Sequence, residues 1–83
     1  METVVERWST EEISLAAYLS MMLGVDPVVE WQTQYSCVFK FEDSVELTMH
    51  VVKFVSGECR VEPKEYFLKA TALRKEMFRI RPR

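Results

Sequence analysis

The stretch YSCVFKFEDSVE, residues 35–46, decides the fold because it joins a strand directly to the start of a helix. Its first part places Tyr35, Cys37, Phe39 and Phe41 at alternate positions, with mostly polar residues between them. Alternation with a period of two is typical of a strand that buries one face only. The sequence therefore predicts a strand over Tyr35–Glu42 in a sheet that helices cover on one side.

A helix is predicted immediately after this strand. Asp43-Ser44-Val45-Glu46 has the pattern of a capping box, and Gly57 is a suitable residue to end the helix. The β-branched residues of the segment leave a strand over His50–Val55 as the alternative. The apolar residues expected to form one wide face are Val45, Leu47, Met49, Val51, Val52, Phe54 and Val55.

Upstream of the central strand, Pro27–Thr33 also alternates and predicts a second strand. Few residues separate the two strands, which favours a hairpin. The junction Gln32-Thr33-Gln34 contains neither Gly nor Asn, so it lacks the residues that tight hairpin turns prefer.

Two further helices are predicted, one on each side of this central region. A capping box at Ser9–Glu12 and a terminating Gly24 predict a helix over about residues 10–23. Pro63 at the first position of a second helix precedes apolar residues spaced by four and three, up to Pro82. These apolar residues are Tyr66, Ala70, Leu73, Met77 and Ile80. The β-prone Thr3–Trp8 predicts a short N-terminal strand.

The resulting order is (β)-α-β-β-α-α, an α+β class with a small antiparallel sheet packed by three helices. Residues 1–83 form one domain, with 79–83 as a basic C-terminal tail. This length is close to the lower limit for an unaided core, so self-association would be a simple way to bury more surface.

Charge is divided unevenly along the chain. Residues 1–59 carry ten acidic and three basic side chains, whereas residues 60–83 carry eight basic and three acidic ones. The N-terminus lacks the apolar segment of a signal peptide, and no apolar run approaches the length that spans a bilayer. We therefore expect a cytoplasmic protein, with Cys37 and Cys59 as thiols in or near the core.

The residues that most often carry chemistry are expected to be structural here. His50 has Lys53 and Phe54 at the positions where a second metal ligand would stand. Glu42, Asp43 and Glu46 are interpreted as strand-face and capping residues. The sequence thus predicts no catalytic residue, no metal site, no cofactor and no enzyme activity.

The basic C-terminal part offers three interpretations: a solvated helix face, a contact with an acidic patch on another copy or another protein, or a phosphate contact. The candidate contact residues are Lys69, Arg74, Lys75, Arg79, Arg81 and Arg83. A base-stacking face built on Trp31, Tyr35, Phe39 and Phe41 is disfavoured, because Glu30, Glu42 and Asp43 would repel phosphate.

Three motifs in order carry a resemblance to a known family. They are Leu15-Ala16-Ala17-Tyr18-Leu19, Val38-Phe39-Lys40-Phe41-Glu42-Asp43-Ser44, and Val61-Glu62-Pro63-Lys64-Glu65-Tyr66-Phe67. Over about residues 8–78 the chain resembles small bacterial and phage proteins grouped as a domain of unknown function. The resemblance implies a stand-alone α+β module, often on phages or mobile elements, and it supplies no site residue.

Two functions are compatible with these observations. The first is a non-enzymatic module that binds another protein, in a host-modulating or anti-defence role. The alternative is a nucleic-acid-associated accessory protein that uses the basic third helix and tail. A membrane partner is not expected, and a homodimer is left open.

Overall fold

The computed structural model describes residues 6–82. The elements along the chain are β1 (Arg7–Thr10), α1 (Ile13–Leu23), β2 (Val28–Trp31), β3 (Cys37–Glu42), α2 (Val45–Ser56) and α3 (Pro63–Arg79). This is the predicted α+β order, and the hairpin, the three helices and an N-terminal strand are all confirmed. The strand predicted over Thr3–Trp8 starts at Arg7, and Thr3, Val4 and Val5 lie outside the described residues.

The sheet is antiparallel with the strand order β1-β3-β2. β3 is the central strand, and its alternating residues Cys37, Phe39 and Phe41 are buried, as the period of two predicts. The strand starts at Cys37 and not at Tyr35, which was wrongly included in this face: it lies in the preceding turn and is 85% exposed. Phe39 pairs with Thr10 on one neighbouring strand and with Val29 on the other. The aromatic face of β3 therefore lies at the centre of the core.

The β2–β3 turn is stabilised by a hydroxyl in place of a glycine. Thr33 Oγ1 accepts hydrogen bonds from the backbone N–H groups of Tyr35 and Ser36, both at 3.1 Å. The Gln32 N–H donates to the Ser36 carbonyl at 2.9 Å. A threonine that bonds its own turn in this way explains why the hairpin forms without Gly or Asn.

α1 is the central helix of the molecule. Six consecutive residues, Leu15–Ser20, are buried, which means that the helix is covered on all sides along this segment. Both α2 and α3 pack against it. Gly24 ends the helix in the left-handed conformation with φ of 69°, and its N–H donates to the Ser20 carbonyl, as predicted.

The predicted start of α1 was wrong. The helix begins at Ile13, and Ser9 and Thr10 are strand residues paired with Lys40 and Phe39. The hydrogen bonds of the sheet outweigh the capping box, so the Ser9 hydroxyl caps nothing. The Thr10 hydroxyl instead accepts from the Glu12 N–H at 3.1 Å across the strand-to-helix turn.

α2 is a helix and not the alternative strand. Its cap is Ser44, whose hydroxyl accepts from the Leu47 N–H at 3.0 Å, one residue later than the predicted box. With Ser44 as the cap, the third helical position is Leu47 and not Glu46. The second bond of a capping box, in which a carboxylate at the third position accepts from the cap N–H, is therefore absent from this helix start. Gly57 ends the helix with φ of 78°.

α3 begins at Pro63, as predicted, and the Glu62 carboxylate accepts from the Glu65 N–H at 2.6 Å. Leu73 is buried, and Tyr66, Ala70 and Met77 pack against the core around it. The Tyr66 hydroxyl donates to the Ser14 carbonyl at 3.0 Å, which ties α3 to the start of α1. Ile80 was wrongly included in this apolar face, because the helix has ended there and the residue is exposed.

Candidate interaction surface

The predicted contact residues divide into those that have partners within the chain and those that are exposed. Lys69 belongs to the first group: its Nζ lies 3.2 Å from Asp26 Oδ1, across 43 positions of sequence. The Ser20 hydroxyl donates to the same oxygen at 3.2 Å. The hydrogen bond from Lys69 is the main cause that lowers the pKa of Asp26, and the bond from Ser20 adds to it. Lys69 therefore anchors α3 to the segment that follows α1.

Arg79 is also engaged inside the chain. Its Nε donates to Glu76 Oε2 at 2.9 Å, and its Nη2 contacts the other oxygen of the same carboxylate. This two-point contact lowers the pKa of Glu76 and raises the pKa of Arg79. Much of the charge of Arg79 is thus balanced locally at the end of α3.

Arg81, from the predicted tail, lies against the hairpin. Its guanidinium carbon is 5.5 Å from the centroid of the Trp31 ring, and Nη2 donates to the Gln34 carbonyl at 3.2 Å. The Trp31 indole N–H donates to the Met77 carbonyl at 3.1 Å. The beginning of the tail is therefore packed on the β2–β3 turn, while Arg83 lies outside the described residues.

Arg74 and Lys75 form the second group. Both are exposed, and neither forms an ion pair with another side chain of residues 6–82. Around them lie three large apolar side chains that are also exposed: Phe67 to 67%, Leu68 to 57% and Phe78 to 56%. We call these five residues the basic–aromatic face of α3.

Helix geometry explains why the five residues lie together. At about 100° per residue, Phe67, Arg74 and Phe78 fall within about 40° of one another, and Leu68 and Lys75 form a parallel row beside them. Leu73, Tyr66 and Met77 point to the core from other positions of the same helix. Arg74 and Lys75 were among the contact residues predicted from the sequence. Phe67, Leu68 and Phe78 were not, although their spacing places them off the core positions of α3.

A second exposed apolar surface lies on α2. The sequence predicted one wide apolar face, and this was wrong: Leu47 is buried and Val51 and Phe54 are half-buried, while four residues point to solvent. These are Val45, Met49, Val52 and Val55, exposed to 79%, 56%, 59% and 76%. We call the first three of these residues, Val45, Met49 and Val52, the α2 stripe.

The side chains that could act as nucleophiles, bases or metal ligands lie in the core or outside these two surfaces. Cys37 is buried, and burial, followed by the charge of Glu11, raises the pKa of its thiol. His50 contacts the Tyr18 ring edge-on, with 6.1 Å between centroids, and its Nε2 is 4.0 Å from Glu46 Oε1. Among residues 6–82, no three His, Cys, Asp or Glu side chains are grouped so as to hold a metal ion.

Comparison with known proteins gives one family. Residues 6–79 match the model of a family described as a domain of unknown function, DUF5659. No curated protein and no solved structure matches the chain. Within the described residues, none of the helices combines the length and apolar character needed to cross a bilayer.

Proposed function

The chain belongs to the DUF5659 family of domains of unknown function, and from that premise we propose that it is a non-enzymatic module that binds another protein through the basic–aromatic face of α3. The observation that carries the proposal is the exposure of Phe67 and Phe78 beside Arg74 and Lys75. The occupant we propose is a segment of a partner protein that presents apolar side chains flanked by carboxylates.

Physical chemistry supports a protein partner at such a face. Burying a large apolar side chain contributes about 1.5–3 kcal/mol, so Phe67, Leu68 and Phe78 together represent a large gain on binding. Aromatic residues, Phe among them, and arginine are also enriched in protein interfaces relative to the rest of the surface. Arg74 and Lys75 would orient the partner and favour an acidic sequence, because complementary charges steer association.

The remaining predicted cations fit a supporting role. Lys69, Arg79 and Arg81 already bond to Asp26, Glu76 and Gln34. Lys69 joins α3 to Asp26 and Arg81 joins the residues after α3 to the hairpin, while Arg79 pairs within α3 itself. The binding face therefore lies on a helix that is tied to the rest of the domain. A bacterial or phage origin and a host-modulating or anti-defence role complete the proposal, and for these the support is the sequence resemblance. For a cytoplasmic location the support is that Cys37 and Cys59 are both free thiols, which suits a reducing compartment.

Affinity capture from nuclease-treated host lysate tests the proposal. Wild-type bait is compared with Arg74→Glu/Lys75→Glu, with Phe67→Ser/Phe78→Ser, and with Tyr35→Ser as the matched control. Tyr35 is an aromatic residue exposed to 85% on the hairpin, and it does not belong to the basic–aromatic face. We expect a protein that survives nuclease, is retained by the control and is lost by both α3 variants. A partner that all four baits retain equally would show that another surface binds it.

Nucleic-acid association remains the second candidate, because Arg74 and Lys75 are exposed cations beside aromatic side chains. Binding to phosphates releases counterions, so each phosphate contact contributes roughly 0.7–0.9 to the slope of log affinity against log salt. We expect Arg74→Ala/Lys75→Ala to reduce that slope by about 1.4–1.8 in an oligonucleotide titration. A slope and an affinity that do not change would eliminate this candidate.

A further inference from the structure

The α2 stripe lies on the side of the helix opposite the core. At about 100° per residue, Val45, Met49 and Val52 are about 140–160° away from Leu47 around the helix axis. Leu47 is 1% exposed, whereas Val52 is 59% exposed and Val45 is 79% exposed. A helix that is apolar on both sides is expected to be buried on both sides. The outward side of α2 is therefore a surface suited to a partner, independent of α3.

We propose that this surface pairs with α2 of a second copy of the chain, with the two helices antiparallel. The spacing of Val45, Met49, Val52 and Ser56 is four, three and four residues, which matches the spacing of the a and d positions in a two-helix coiled coil. In the antiparallel arrangement Met49 packs on the partner's Val52 at the centre, and Val45 meets the partner's Ser56 at each end. The hydroxyl of Ser56 donates to the Lys53 carbonyl of its own helix at 3.2 Å, so it does not need a partner across the seam.

Complementary charges beside the α2 stripe favour a second copy of the chain as its partner and favour the antiparallel direction of the two helices. Glu46 and Lys53 are seven residues apart, so both lie on the same flank of the stripe, about 10 Å from each other along the axis. A two-fold axis perpendicular to the two antiparallel helices brings this flank against the same flank of the partner, which runs in the opposite direction. Glu46 then faces the partner's Lys53, and Lys53 faces the partner's Glu46. The opposite flank carries the neutral residues Thr48 and Val55, so no like charges meet there.

The two residues of this ion pair are available for it. Both Glu46 and Lys53 are exposed, and the Glu46 side chain keeps 68% of its surface accessible. A parallel pairing would set this flank against Thr48 and Val55, leaving both charges without partners. The interface is small, since a 12-residue helix is about 18 Å long. It therefore belongs among the weak, concentration-dependent interfaces.

The dimer goes beyond the proposed function and rests on different residues. It would display two basic–aromatic faces and so raise the apparent affinity for a repetitive partner. If the chain does not dimerise through α2, partner binding by α3 can still be measured on the monomer. If α3 binds no partner, dimerisation through α2 can still be measured. The two proposals can therefore fail separately.

Sedimentation equilibrium over about 10 µM to 1 mM tests the dimer. We expect wild type to dimerise in this range and Val52→Glu to weaken the association at least tenfold, as two carboxylates enter an apolar seam. The matched control is Val28→Glu, which adds the same charge at a 51% exposed position of the sheet and should leave the dimer unchanged. A wild-type chain that stays monomeric at 1 mM overturns the proposal, and so does a dimer that Val52→Glu does not affect.

Charge reversal gives a second test that uses surface positions only. Glu46→Lys and Lys53→Glu should each weaken self-association roughly three- to tenfold, because each creates two like-charge contacts. An equal mixture of the two variants should form a mixed dimer in which both contacts are attractive, and the double variant should regain the wild-type association. Variants that do not recover on mixing would contradict the antiparallel register. A dimer broken instead by Phe67→Ser/Phe78→Ser would place the interface on α3.

Discussion

Leu47 and Met49 stand two positions apart on α2 and on opposite sides of it, so they provide a direct test of which side faces the core. Leu47 is 1% exposed, and Met49 is 56% exposed. Truncation to Ala removes three heavy atoms beyond Cβ from each side chain, and Leu and Met have similar helix propensities. The difference between the two variants therefore measures burial.

The expected magnitudes are far apart. Leu47→Ala leaves a cavity in the core and should lower the free energy of unfolding by about 2–5 kcal/mol. Met49→Ala, in dilute solution, should change it by less than about 0.5 kcal/mol. A chain of 83 residues has a total stability of about 4–12 kcal/mol, so the Leu47 variant loses a large fraction of it.

Urea titration followed by circular dichroism is the assay, at about 5 µM protein so that the monomer is measured. Equal losses for the two variants would refute the inside–outside assignment of α2. Repeating the titration at about 500 µM adds a second readout, because a dimer that only the folded chain forms raises the apparent stability. Under those conditions Met49→Ala should fall below wild type.

Three further predictions concern titration, backbone conformation and thiol reactivity. The pKa of Asp26 is lowered below its ordinary value of 3.8 by the hydrogen bond from Lys69. The contribution of this ion pair to the free energy of unfolding is therefore complete above about pH 5 and is lost as the pH falls through the lowered pKa. Asp26→Asn should lower the free energy of unfolding by up to about 1 kcal/mol at neutral pH in low salt, and urea titrations of this variant should no longer show the loss at acid pH. Gly57→Ala should cost about 1 kcal/mol in thermal unfolding, because φ of 78° disfavours a side chain although nothing lies within 4 Å of the added methyl group. The thiol of Cys37 should react with a disulfide reagent only on unfolding, whereas the partly buried Cys59 should react faster in the native chain. Equal native rates would contradict the burial of β3.

Much of the fold could be predicted because its signals are local. The alternation in β3, the glycines that end α1 and α2, and Pro63 at the start of α3 each act within a few residues. The start of α1 was wrong because Ser9 pairs with Lys40, a contact between distant parts of the sequence. A capping pattern alone does not reveal that a neighbouring strand competes for the same residues.

The candidate site was less predictable, since it depends on which side chains remain free after folding. Lys69 is paired with Asp26, 43 positions away, and Arg81 packs on Trp31, so charge counting overestimated the number of available cations. For α2, a list of apolar residues did not separate the buried Leu47 from the exposed Met49. The helical angle of each residue separates them, and that signal was present in the sequence.

The most direct test of the central claim is quantitative capture from nuclease-treated lysate by wild type, Arg74→Glu/Lys75→Glu and Tyr35→Ser side by side. We predict a protein that wild type and Tyr35→Ser enrich equally and whose enrichment falls at least tenfold with Arg74→Glu/Lys75→Glu. Equal enrichment by all three baits would contradict binding through the basic–aromatic face of α3. A protein that wild type captures from untreated lysate but not from nuclease-treated lysate would contradict direct binding to a protein partner.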